Sequence, residues 1–231
     1  MILITRPRDK AFKLESKLSN YGYKCHVEPL SAIKFKNQNI LFNKNQVYLI
    51  TSPRTVNYII KKKSKNLSIK LLVIGLSSFG KLKQAGFKNL IYGAQDSDDM
   101  VKFLKKSDFK TINYLTGTIR NTNLSLKILE MGIFLKEIVI YETVFRKVLS
   151  KKCVALIKLK KIKQVVIYSK ANAKHIIYVL NKAMVKKESK SLTFFCLSKK
   201  IADLLNNEGY NTIYCIKPVE SSLIKKLLNS S

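Results

Sequence analysis

Short runs of β-favouring residues recur along this 231-residue chain, and most give way to polar turn residues followed by apolar positions in helical spacing. The runs are 2–5 (ILIT), 24–29 (KCHVEP), 47–51 (VYLIT), 71–75 (LLVIG), 89–93 (NLIYG) and 111–116 (TINYLT). They continue at 137–142 (EIVIYE), 164–169 (QVVIYS), 192–197 (LTFFCL) and 211–216 (NTIYCI). Between them Ala11, Leu14, Leu18 and Tyr21 fall on one helical face, as do Phe79, Leu82 and Ala85, and Leu124, Ile128 and Met131. Strands alternating with helices predict an α/β fold of parallel sheets covered by helices. Gly22, Gly86, Gly132 and Gly209 each stand between a helical stretch and the next strand, where a left-handed residue closes a helix.

The pattern also repeats internally. QVYLITSPRTVNYII (46–60) resembles QVVIYSKANAKHII (164–177), which sets Ser52 opposite Ser169. VIGLSSFGKLKQAGFKNLIYG then resembles FCLSKKIADLLNNEGYNTIYC, which sets Gly75 opposite Ser198. Two copies of one unit predict two similar parallel-sheet α/β domains of flavodoxin-like type. The opening strand–helix–strand finds its partners most simply in the C-terminal half. The expected organisation is therefore a discontinuous domain, 1–34 plus 147–231, with 37–142 inserted as the other. A two-stranded connector, about 34–37 and 142–147, would join them, with a cleft between the domains.

Composition narrows the chemistry. Apolar residues make up 46% of the chain, enough for real cores, while 44 Lys and Arg against 14 Asp and Glu leave a net charge of +30. Such a surplus attracts anions, whether nucleic acid, membrane headgroups or a polyanionic metabolite. Most of it is lysine, scattered as on a solvated face. Arginine is scarce: Arg6, Arg8, Arg54, Arg120 and Arg146, four of them just after a predicted strand. Only arginine's planar fork grips a carboxylate or phosphate at two points. Cys25, Cys153, Cys196 and Cys215 are too widely spaced for a CxxC pair and read as buried thiols of a reducing compartment. With two histidines, His26 and His175, the chain offers no metal-ligand spacing, and GLSSFG is no dinucleotide fingerprint. No apolar run reaches the ~18 residues of a membrane span, and the start is not a signal peptide, so a cytoplasmic location is expected.

In parallel α/β sheets ligands bind at the carboxyl ends of the strands. The residues there are Arg6; Thr51, Ser52 and Arg54; Ser77 and Ser78; Thr116 and Gly117; then Ser169 and Lys170, and Ser198 and Lys199. Hydroxyls before a helix cap it, and the free N–H groups of its first turn bind anions. A single Ser or Thr there is ordinarily just a cap; repetition over five turns points to a surface for carboxylates or phosphates. Tyr141, at the end of an apolar strand beside the domain crossing, can project a hydroxyl into the same region. Read from residues alone, a basic polyanion-binding or nucleic-acid-binding module without catalysis is the alternative. Its basic residues, however, are dispersed and no nucleic-acid motif appears.

The ordered set TRP near the start, TSPR at 51–54, VIGLSSFGKLKQAGF, YLTGTIRN, IVIYET and IYSKAN resembles the uroporphyrinogen-III synthase family over nearly the whole chain, apart from a lysine-rich stretch around 145–163. The resemblance implies two α/β domains and a linear tetrapyrrole substrate, hydroxymethylbilane, with eight carboxylates. It implies ring closure with inversion of the last pyrrole through a spiro intermediate and loss of water, without metal or cofactor, by a monomer. The matching tyrosine is Tyr141, implied to assist departure of the substrate hydroxyl. Thr51, Ser52, Ser77, Ser78 and Ser169 are implied to touch carboxylates. The chain departs from the family at Ser169-Lys170-Ala171-Asn172 and at Ser198–Ala202, where Ile201 replaces a hydroxyl; Lys170 and Lys199 are expected to compensate.

Overall fold

The computed structural model describes residues 1–37, 40–62 and 67–230, in which strands and helices largely alternate. The chain opens with β1 (Ile2–Ile4), α1 (Arg8–Ser19), β2 (Cys25–Val27) and β3 (Ser31–Phe35). Then come β4 (Val47–Ile50), α2 (Pro53–Lys61), β5 (Lys70–Ile74), α3 (Leu76–Gln84) and β6 (Leu90–Ala94). They are followed by α4 (Ser97–Lys105), β7 (Thr111–Gly117), α5 (Thr122–Glu130) and β8 (Phe134–Phe145). The last stretch supplies α6 (Lys151–Lys158), β9 (Gln164–Ile167), α7 (Lys170–Lys182), the short α8 (Lys186–Ser189) and β10 (Thr193–Cys196). It ends with α9 (Lys199–Asn206), β11 (Asn211–Tyr214) and α10 (Glu220–Leu228). The four helix-closing glycines, Gly22, Gly86, Gly132 and Gly209, take φ of 79°, 92°, 74° and 74°, left-handed backbone that a side chain disfavours.

The chain packs as two units: unit 1 is Met1–Ile33 with Val144–Ser231, and unit 2 is Lys34–Thr143. Unit 1 holds a parallel sheet in the order β11-β10-β9-β1-β2. Its three central strands, β10, β9 and β1, are apolar on both faces, as a sheet covered on both sides requires. Ile2, Ile4, Val166 and Phe195 point to one side, against Ala11, Leu14 and Leu18 of α1 and Leu223 and Leu227 of α10. Leu3, Val165, Ile167 and Phe194 point to the other, against Cys153 and Ile157 of α6, Ile176 and Val179 of α7 and Leu205 of α9. Helix α6 thus lies in the lysine-rich stretch: its lysines face outward while Cys153 and Ile157 are buried.

In unit 2 the sheet order is β3-β8-β7-β4-β5-β6, with β4 to β8 all parallel. Leu49, Leu72, Ile112 and Tyr114 pack on Met100 and Leu104 of α4 and on Leu124 and Ile128 of α5. Counted in chain order, unit 1's strands run 2-1-3-4-5, the flavodoxin arrangement; β4 to β8 of unit 2 run 3-2-1-4-5. The two units share parallel α/β construction but reverse direction at different places, between β1 and β9 in unit 1 and between β4 and β7 in unit 2.

Candidate functional site

Where the strand order reverses, the connections leave in opposite directions and a crevice opens beyond the carboxyl ends of the two central strands. In unit 2 that place is the end of β4, carrying Thr51 and Ser52, and the end of β7, carrying Thr116 and Gly117. Thr51 Oγ1 and the Tyr114 hydroxyl lie 3.0 Å apart, tying the end of β4 to the middle of β7. Ser52 caps α2: its Oγ accepts from the Arg54 backbone N–H at 3.2 Å. Pro53 follows in the first helical turn, where its missing N–H leaves no bond unmade.

Tyr141 reaches the same place because β8 is irregular. Thr116 pairs with Val139 and Gly117 with Tyr141, so Ile140 is an extra residue on β8. Such a bulge re-aims the side chains beyond it. As a result consecutive Ile140 and Tyr141 are both buried. The Tyr141 hydroxyl donates to Ser52 Oγ at 3.4 Å, its ring meets Phe35 edge-on at 6.0 Å between centroids, and the Arg54 guanidinium lies 5.9 Å from its centre. Opposite the ring is Gly117, where a Cβ would overlap the tyrosine's ring atoms.

Thr51, Ser52, Arg54, Thr116 and Tyr141 line one hollow of about 270 Å³. Two of its cations differ in state. Arg120 pairs with Glu137 at 2.5 Å, whereas Arg54 meets no carboxylate among the described residues. Burial would raise the Glu137 carboxyl, but hydrogen bonds from Arg120 and Ser125 hold it below its usual value. The hollow therefore joins hydroxyls, a phenol and one uncommitted guanidinium, a set suited to a carboxylate. Tyr114, Ser97 and Asn121 also line it without having been singled out in the sequence. Tyr114 sits inside an apolar strand and reads as core. Asn121 reads as a cap, which it is: its Oδ1 accepts from the Leu124 N–H at 3.3 Å, while its amide donates to Ser97 Oγ at 3.1 Å.

Ser77 and Ser78 stand in the first turn of α3, Ser77 exposed and Ser78 buried, and neither lines that hollow. In unit 1, Ser169 caps α7 by accepting from the Asn172 N–H at 3.2 Å, and Lys170 beside it is exposed. Ser198 holds the equivalent place before α9, but no side-chain cap bond engages its hydroxyl; exposed Lys199 lies 3.7 Å from Asp203. The pairs of positions matched by the internal repeat, Ser52 with Ser169 and Gly75 with Ser198, are all helix N-caps. Arg6 is already engaged: it pairs with Glu220 and stacks 3.7 Å from the centre of the Tyr168 ring. Thr5 and Asn172 form a buried latch across β1 and α7, Thr5 Oγ1 to Asn172 Oδ1 at 3.1 Å and Asn172 Nδ2 to the Thr5 carbonyl at 3.1 Å.

His26, Glu28 and Cys153 bring ligand-type atoms within 4.8 Å of one another in unit 1. The arrangement is occupied from within the protein. Glu28 accepts from the Ser150 N–H at 2.8 Å, from the Ser150 hydroxyl at 2.7 Å and from Arg146 at 2.8 Å. It thereby anchors the start of α6. Burial and the nearby Glu28 charge push the Cys153 thiol up to about 12, far from a thiolate. Burial likewise raises Cys25 to about 11 and Cys196 to about 12, and all four cysteines are free thiols. Among the described residues no helix is long and apolar enough to cross a membrane.

Residues 13–225 match the family model described as uroporphyrinogen-III synthase HemD. The fold is similar to that of uroporphyrinogen-III synthetase from Helicobacter pylori 26695, at 15% identity and TM-score 0.68, over 100% of this chain and 99% of that one. It is also similar to a mutant uroporphyrinogen III synthase from the extreme thermophile Thermus thermophilus, at 12% identity and TM-score 0.62, over the whole of both chains. No curated protein matches the sequence.

Proposed function

The chain belongs to the uroporphyrinogen-III synthase family, acting in heme biosynthesis, and we propose that it works as a cyclising hydro-lyase whose hydroxyl-rich turns hold the substrate's carboxylates while Tyr141 supplies a proton. The substrate is hydroxymethylbilane, and the product is uroporphyrinogen III with its last pyrrole inverted. The observation that carries the assignment of roles is the meeting of Thr51, Ser52, Arg54 and Tyr141 at the strand-order reversal of unit 2.

The substrate is reactive without help. Its C–O bond breaks as the pyrrole nitrogen feeds electrons into the ring, leaving an azafulvene, and the departing hydroxide becomes water on taking a proton. The Tyr141 hydroxyl is the donor in this reading, oriented by Ser52 and steadied by the neighbouring Arg54 charge as phenolate character develops. The terminal pyrrole then attacks the freed methylene through its substituted carbon, giving the spiro intermediate. The older bond from that carbon to its bridging methylene breaks, and the methylene re-bonds at the ring's free α-carbon. The proton lost there restores the Tyr141 hydroxyl, so that water is the only group released and the ring is inverted. Unaided closure is uninverted, so the protein's larger contribution is orientation of the bound chain. Ser52, Ser169 and Ser198 at helix starts, with Thr51 and Arg54, supply the carboxylate contacts; in unit 1, Lys170 and Lys199 add charge at exposed turns.

The test is kinetic. Tyr141→Phe keeps the ring that packs on Phe35 and is expected to lower turnover about 10- to 1000-fold with little change in the Michaelis constant. Arg54→Gln is expected to raise the Michaelis constant through the lost carboxylate contact and also to lower turnover, by less than Tyr141→Phe does. Full turnover in a folded Tyr141→Phe removes that residue from proton transfer, and unchanged kinetics in both variants removes the hollow from the reaction.

A further inference from the structure

A second hollow, of about 500 Å³, lies entirely within unit 1, beyond the ends of β1 and β2. Its walls are largely apolar, with Phe12, Pro29, Ala32 and Phe145 among them, and two arginines, Arg8 and Arg146, line it. The volume is within the range of about 300–1,000 Å³ typical of small-molecule sites, and apolar walls with a few converging polar groups are their usual composition.

The two arginines are not spent alike. Arg146 gives Nη1 to buried Glu28 at 2.8 Å, yet its side chain remains 43% exposed, leaving part of the fork open. Arg8 has no carboxylate partner among the described residues and lies 5.4 Å from the centre of the Phe12 ring. Glu28 therefore cancels one of the two positive charges, and the pair retains a net charge of about +1 with open donors. Phe145 is held in place by His175, whose ring lies 4.5 Å away and whose Nε2 is 2.6 Å from the Arg146 carbonyl. The lining thus offers forked donors for a carboxylate beside flat apolar surfaces for a ring.

We propose that this unit 1 hollow is a subsite for an acid-bearing pyrrole ring, Arg8 and Arg146 taking carboxylates and Phe12 and Phe145 flanking the ring. The proposal rests on the tetrapyrrole reading above for the ring's identity; the site itself rests on the two guanidiniums and the apolar walls.

The chain's five arginines make the test direct, since side-chain Nε–H signals from five residues are few enough to assign by substitution. The probe is a monopyrrole bearing one acetate and one propionate arm, titrated into the full-length protein. The Arg8 and Arg146 signals are expected to shift in a saturable way, Arg8→Gln to weaken binding at least tenfold, and Ala32→Trp, which fills the hollow from an exposed strand position, to abolish it. Movement of the Arg54 signal alone, or unchanged binding in Ala32→Trp, overturns the proposal. Either result beside intact formation of the type III ring sinks the subsite and leaves the catalytic reading standing. Binding in this hollow without any ring formation does the opposite.

Discussion

Gly117 lies against the ring of Tyr141 so closely that a Cβ at position 117 would overlap the ring. The missing side chain is what lets the bulged β8 bring its phenol beside Ser52. Gly117→Ala is therefore expected to push the ring away, destabilise the protein by about 1–3 kcal/mol as overpacked cores do, and lower turnover below the Tyr141→Phe level. Chemical denaturation and steady-state rates check this together. An alanine variant of native stability and full rate would show that the close approach has no role.

Ser52 holds two positions at once, as cap of α2 and as acceptor from Tyr141. Glycine replaces a capping serine at a cost of only a few tenths of a kcal/mol, whereas alanine costs about 0.5–2 kcal/mol. Ser52→Gly and Ser52→Ala are thus expected to differ in stability but to share one reduced rate. A rate that tracks stability instead would assign Ser52 to the helix alone.

The Arg120–Glu137 pair gives a pH signature. The folded-state pKa of Glu137 is depressed, so its contribution is full above the ordinary value of 4.5 and is lost as the pH falls through the lower folded value. The denaturation midpoint of Glu137→Gln is expected to lie below that of the wild type at pH 7, with the gap closing below about pH 4. A gap that is the same at pH 7 and pH 3 would mean that the charge has no part in it.

In unit 1 the buried Thr5–Asn172 latch fastens the end of β1 to the start of α7. Asn172→Ala removes one hydrogen bond from the Thr5 hydroxyl, which still reaches the Val166 carbonyl, and one from the Thr5 carbonyl, which still accepts from the Leu30 N–H. It is expected to cost about 1–3 kcal/mol for the two bonds together. Urea unfolding of the variant measures it, and a loss of under half a kcal/mol would show that Thr5 is satisfied elsewhere.

Local features of this structure were legible in the sequence because their causes are local. Strand runs, most of the helix-face positions and the four left-handed glycines follow from spacing within about ten residues. Tyr21, expected on the face of α1, instead lies past the helix end and is exposed. Thr51 and Ser52 were visible for the same reason: a hydroxyl between a strand and Pro53 announces a cap. Relationships set by distant residues were not. Arg6 and Arg120 stand out as scarce forks beside strands, yet their partners, Glu220 and Glu137, become evident only once the chain is folded. Arg54 and Arg120 are equivalent in sequence context and opposite in availability. The differing strand orders of the two units escape a repeat comparison, which matches elements one by one and carries no information on which strands pair. The extra Ile140 on β8, which aims Tyr141, is likewise invisible inside the unbroken apolar run 138–141 (IVIY).

The ring isomer formed from hydroxymethylbilane is the most direct measure of whether this chain orients its substrate. Purified protein is mixed with fresh substrate, the product is oxidised, and the type I and type III porphyrins are separated by chromatography against a protein-free control. A product dominated by type III is expected, with type I in the control. A type I product at the control's rate, from folded protein, would contradict it.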